Sequence, residues 1–143
     1  MSAFKNVLVA FDGSELAVKA LEMGVQIASQ NNATLHVFHV NVVSAALLAQ
    51  AASSDALKGL LDTAGENTRE KAEELLKDAP CEHKIVVQDA PAAAKPIVDY
   101  ATRNEIDLIV MGSRGLGTMK QYFGSVAHAI LNITRIPTLV IKE

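Results

Sequence analysis

Glycines at 112, 115 and 117, followed by the pair Gly124-Ser125, have the clearest chemical capacity in this sequence, because they stand directly after the apolar run Leu108-Ile109-Val110-Met111. A continuously apolar run suits a strand covered by helices on both faces, which puts the glycines beyond its carboxyl end. There Gly112, Gly115 and Gly117 let the backbone approach a ligand closely and present its amides as donors. Gly124-Ser125 then opens the apolar helical segment Val126, Ala127, Ile130, Leu131, whose first-turn amides and dipole favour an anion. The Ser125 hydroxyl suits either capping that helix or bonding a phosphate oxygen. Two clusters of phosphate donors are therefore expected in one short stretch. Arg114 and Lys120 would each reach phosphate as cations, although a solvated loop face accounts for them equally well.

These residues need elements to position them, and the chain alternates strand and helix. Val7 to Phe11 is a short apolar run ending at Asp12-Gly13-Ser14, which combines turn chemistry with a helix cap. From Glu15 to about Gln30, Leu16, Ala17, Ala20, Leu21, Gly24, Ile27 and Ala28 recur at helical spacing. Further strands are read at Thr34 to Val40, Lys84 to Val87, Asp107 to Met111 and Pro137 to Ile141. Helical patterns run from Leu57 towards Pro80, around Ile97, Val98 and Ala101, and from Val126 to Thr134. Val43 to Ala56 is alanine-rich without clear amphipathicity, and suits a flap or an extra helical turn.

This alternation predicts an α/β fold of the doubly wound kind: an open, parallel, five-stranded sheet of order 3-2-1-4-5 with helices on both faces. The ligand belongs where the winding direction reverses, so Asp12 and Met111-Gly112 would share one crevice. One domain spanning residues 1–143 is expected, with roughly two thirds of the unfolded chain's surface buried.

The net charge of -3 arises from mixed signs without long blocks, which speaks against nucleic acid or an anionic bilayer as partner. Cys81 is the sole cysteine, so no internal disulfide or cysteine-built metal site is available. With no leader-like segment and no apolar run long enough to insert in a membrane, a cytoplasmic protein is expected. His36 and His39 are an odd number of residues apart on a strand and so face opposite ways, which suits packing or satisfied polar roles rather than a two-ligand metal clip. His83 and His128 have no evident carboxylate partner.

With these segments assembled, the whole chain resembles the universal stress protein family, specifically its nucleotide-binding branch. The match runs through Asn6-Val7-Leu8-Val9-Ala10-Phe11-Asp12-Gly13-Ser14, Leu35-His36-Val37-Phe38-His39-Val40, Asp107 to Gly115, Gly124-Ser125-Val126 and Pro137 to Ile141. The family's ATP-binding pattern is a glycine, two residues, a glycine, nine residues, then glycine with serine or threonine. Gly112, Gly115 and Gly124-Ser125 match its residue types, but only eight residues, Leu116 to Phe123, separate the second glycine from the third.

The resemblance implies ATP as ligand, with AMP or ADP as related ones. It implies that Asp12 approaches the ribose, that Val40 meets adenine through its backbone, and that Ala10 and Phe11 line the same pocket. Met111 would pack near the nucleotide, Gly112 and Gly115 would wrap the phosphates, and Gly124, Ser125 and Val126 would hold the terminal ones. Mg2+ would arrive with the triphosphate, held by phosphate oxygens and water near Asp12 or Ser125. The family also implies a homodimer paired through the last strand, Pro137 to Ile141, while the protein partner stays unnamed.

The leading expectation is thus an ATP-binding regulatory homodimer of the stress response, with binding rather than catalysis as its chemistry. A dedicated phosphotransferase would need a Walker-type lysine-serine signature or a second carboxylate beside Asp12, and neither is present. The alternatives are a weak ATPase or nucleotide-dependent transferase, and a nucleotide-free family member acting through its dimer surface.

Overall fold

Strand β1, Asn6–Ala10, forms at the centre of the sheet because Val7, Leu8 and Val9 each lose all solvent contact there. Val7 and Val9 pack with Ala17, Ala20, Leu21 and Ala28 of helix α1 (Glu15–Asn31), and with Ala72 and Leu76 of helix α3 (Asp55–Leu76). Leu8 points the other way, into a second core with Ile97 and Ala101 of α4 (Ala94–Arg103) and Ala127 and Ile130 of α5 (Ser125–Ile133). A strand buried on both faces cannot alternate polar and apolar residues, which is why β1 and β4 (Leu108–Gly112) read as unbroken apolar runs. The computed structural model describes residues 3–115 and 123–143.

The remaining strands are β2 (Thr34–Val42), β3 (His83–Ala90) and β5 (Thr138–Ile141), and all five pair in parallel in the order β3-β2-β1-β4-β5. This is the expected order and winding. Helix α2 (Ala45–Ala51) fills the stretch that suited either a flap or a helical turn, and the Ser44 hydroxyl caps it by accepting from Leu47 N–H at 3.2 Å. Ser54 caps α3 in the same manner. Helix α3 ends at Leu76 rather than running on to Pro80. Strand β3 extends past the expected Lys84–Val87 core at both ends, because its pairing with β2 continues to Val42 and Ala90.

Two contacts set the layer spacing around β1. Gly24 lets α1 lie directly on β1 and β2, since any Cβ there would collide with Val9 Cγ2 and come within 3.2 Å of Leu35 Cδ1. On the opposite face His36 is buried, with Nδ1 2.8 Å from Tyr100 Oη and Nε2 3.1 Å from Asn6 Oδ1. Burial, with Lys84 adding to it, holds the His36 pKa down at about 4, so its ring is neutral at neutral pH. A neutral ring satisfies both partners if Nε2–H donates to Asn6 and Nδ1 accepts the Tyr100 hydroxyl proton. No helix among the described residues is long and apolar enough to cross a membrane.

Candidate functional site

Crossovers leave β1 towards β2 on one side and return through β4 on the other, so the carboxyl ends of β1 and β4 part around a crevice. A cleft of about 230 Å³ lies there. All eleven residues expected at the ligand line it: Ala10, Phe11 and Asp12 from the end of β1, Val40 from β2, Met111, Gly112, Arg114 and Gly115 from the end of β4, and Gly124, Ser125 and Val126 at the start of α5. Gly117 and Lys120 lie outside the described residues, as does most of the shortened glycine loop.

The polar end of the cleft is built by turns. Asp12 Oδ1 accepts from Ser14 N–H at 2.9 Å, which fixes the carboxylate over the β1–α1 turn. Gly13 completes that turn at φ +83°, a conformation that favours glycine. From α3, Lys71 Nζ donates to the Gly13 carbonyl at 2.6 Å. Ser14 caps α1 through Ala17 N–H at 3.2 Å and also lines the cleft.

Across the crevice, Ser113 N–H donates to Ile141 O and Gly124 N–H donates to Ser113 O, each at 2.8 Å. These bonds bring the start of α5 back against the end of β4. Packing there is tight, because a Cβ on Gly124 would lie 3.0 Å from Arg114 Cα and one on Gly115 would collide with Asp12 Oδ2. Gly124 is the N-cap of α5, so the Ser125 hydroxyl does not take the capping role open to it in the sequence, and among the described residues no side chain caps this helix. The first amides of a helix have no intrahelical partner and favour an anion. The Arg114 guanidinium pairs with the Glu143 carboxylate, while its Nε is buried without a partner among the described residues.

The other end of the cleft is apolar, walled by Phe38, Val40 and Val42 of β2, by Ala93 and Ile97 at the start of α4, and by Met111 and Ala127. Sequence reasoning missed Phe38, Val42, Ala93, Ile97 and Ala127. Their only signal was position, at the carboxyl end of β2 and in the first turns of α4 and α5. It also missed His39, whose Nδ1 lies 2.9 Å from the Phe11 carbonyl and therefore donates to it. Burial lowers the His39 pKa, partly offset by the Phe11 hydrogen bond and the charges of Asp12 and Asp89.

Among the described lining residues Asp12 is the one carboxylate and Arg114 the one lysine or arginine. Such a cleft can hold a ligand with an apolar planar part at one end and an anionic part at the other. Among the described residues no group of three or more His, Cys, Asp or Glu is placed to hold a metal ion.

Comparison with known proteins agrees with the fold. The universal stress protein family is matched over residues 3–142. Universal stress protein YxiE of Bacillus subtilis (strain 168) is 32% identical, the alignment covering 97% of this chain and 99% of that one. The structure of universal stress protein UspA from Lactobacillus plantarum superposes with a TM-score of 0.77 at 25% identity, covering 99% of this chain and 100% of that one. The universal stress protein from Archaeoglobus fulgidus in complex with dAMP superposes with a TM-score of 0.70, covering 99% of this chain and 100% of that one, and at 19% identity this likeness is one of fold. With the family matched almost from end to end, the chain belongs to the universal stress protein family.

Proposed function

We propose that the cleft binds an adenine nucleotide, with ATP as the leading candidate and AMP or ADP as related ligands, and that the protein works as a cytoplasmic, nucleotide-binding homodimer of the stress response. The observation that carries this reading is the convergence of the ends of β1, β2 and β4 and the starts of α4 and α5 on one cleft lined by both polar and apolar residues. The base would lie at the Val40 end, between Phe38, Ile97 and Met111. Asp12 would accept from a ribose hydroxyl. Gly112, Gly115 and the uncapped start of α5 at Gly124, Ser125 and Val126 would hold phosphates, and Arg114 would exchange Glu143 for a phosphate oxygen. A related fold in complex with dAMP supports the ligand class.

Mg2+ would be held mainly by the triphosphate itself, with Asp12 or Ser125 beside it. Binding would dominate over turnover, since Asp12 is the one carboxylate among the described lining residues. The dimer would form through β5, an edge strand whose Leu139 remains 36% exposed.

The decisive experiment is nucleotide-resolving chromatography of the supernatant from freshly purified, denatured protein, with calorimetric titration of ATP and magnesium into stripped protein. Stoichiometric adenine nucleotide or saturable heat is expected. Absence of both would replace this reading with a nucleotide-free dimer.

A further inference from the structure

The β1–β2 ladder ends in an irregular way. Alternate residues of β2 turn their backbone to opposite neighbours. Thr34 N–H donates to Lys5 O at 3.0 Å and Phe38 O accepts from Phe11 N–H at 2.9 Å, whereas Leu35 N–H donates to Glu82 O and Val43 N–H to Ala90 O, both at 2.8 Å. Even-numbered residues of β2 therefore face β1 and odd-numbered ones face β3. In a regular continuation, the rung after Phe11 N–H to Phe38 O would run from Val40 N–H to the Phe11 carbonyl.

That rung is not among the hydrogen bonds of the described residues. The Phe11 carbonyl instead accepts His39 Nδ1–H at 2.9 Å. The side chain of an odd-numbered residue has taken the acceptor that the backbone of an even-numbered one would have used. Val40 is left on the side that β1 has vacated, lining the cleft with its N–H and carbonyl turned the same way. A backbone pair released at a strand end offers one donor beside one acceptor, the complement of a planar heteroaromatic edge with an acceptor beside a donor.

We propose that His39 is a positioning residue for the nucleobase: by capping the Phe11 carbonyl it ends the β1–β2 ladder one rung early and keeps the Val40 backbone open for the base. This rests on the adenine-nucleotide reading of the cleft. It adds that the base end is held open by a side chain that need not touch the ligand.

The test compares His39→Phe, which keeps a ring but no donor, with His39→Asn, whose amide nitrogen falls at the Nδ1 position. Amide hydrogen exchange at Val40 is followed by NMR in ligand-free protein. Affinities for AMP and for ribose 5-phosphate then separate the base from the rest of the ligand. In His39→Phe the Val40 amide should gain protection as it closes the missing rung. AMP affinity should fall roughly tenfold while ribose 5-phosphate binding holds, and His39→Asn should restore both readouts. Should His39→Phe fail to fold, His39→Gln, which displaces the donor to the Nε2 position, takes its place.

Unchanged Val40 exchange, or equal loss for AMP and ribose 5-phosphate, would overturn the inference. A wild type that binds neither compound would overturn the nucleotide reading instead, and Val40 exchange would still decide whether His39 ends the ladder.

Discussion

Asp12 and Gly115 come from opposite ends of the chain and meet so closely that a single methyl group at position 115 would collide with the Asp12 carboxylate. The absence of a side chain at 115 thus allows the β1 turn and the β4 loop to close on one cleft. Gly115→Val is expected to push Asp12 aside and fill the space assigned to phosphate, lowering ATP affinity by roughly two orders of magnitude. Calorimetry alongside a circular-dichroism melt checks this. Wild-type affinity in a folded variant would remove Gly115 from the phosphate site.

Two glycines inside helices should respond to alanine with opposite signs. At Gly24 the better helix propensity, worth about 1 kcal/mol, is outweighed by the collision with Val9 and the crowding of Leu35, so Gly24→Ala should destabilise by about 1–2 kcal/mol net. At Gly59, within α3, nothing lies within 4 Å of the added methyl, and Gly59→Ala should stabilise by about 0.5–1 kcal/mol. Urea unfolding midpoints of the two variants measure the contrast.

The sequence was most readable where burial is two-sided. Val7-Leu8-Val9 and Leu108 to Met111 announced central strands because no polar residue can stand there, and the strand order followed from the alternation with helices. Reading was weaker at the edge. His83, Lys84 and Gln88 of β3 are exposed, so its apolar signal spans only part of the paired length. Helix α2 was ambiguous because alanines give little amphipathic contrast. The polar end of the cleft was legible because glycine, serine and aspartate carry a local signature. Ile97 and Val42 carry none and join the cleft only through tertiary packing. His39 could be assigned a face by parity, but its bond to the Phe11 carbonyl depends on where β1 stops.

Leu139→Lys places a charge on the edge strand proposed to pair protomers, and if that pairing holds it should shift the proposed dimer to monomer in sedimentation velocity, with the fold retained. A monomeric wild type would defeat the pairing itself.

His36 should impose a pH dependence on stability. Its ring has a pKa of about 4 in the folded protein against about 6.5 in the unfolded chain, so between these values the unfolded state binds more protons. Its contribution is complete above pH ~6.5 and is lost as pH falls to ~4, a loss of about 3 kcal/mol. Denaturation midpoints of wild type and His36→Met across this window should converge towards acid pH. Parallel curves would show that His36 carries no such linkage.

The chain of Asn6, His36 and Tyr100 has a consequence for assembly of the sheet. Apolar contacts on β1 and β2 are non-directional, whereas a buried imidazole needs partners at fixed positions. Sliding β2 along β1 would carry the imidazole away from its acceptor on one side and its hydroxyl on the other, stranding it in an apolar layer. The polar chain therefore acts as an alignment key during folding: only the pairing that sets Asn6 against Thr34 lets the sheet close without a stranded ring.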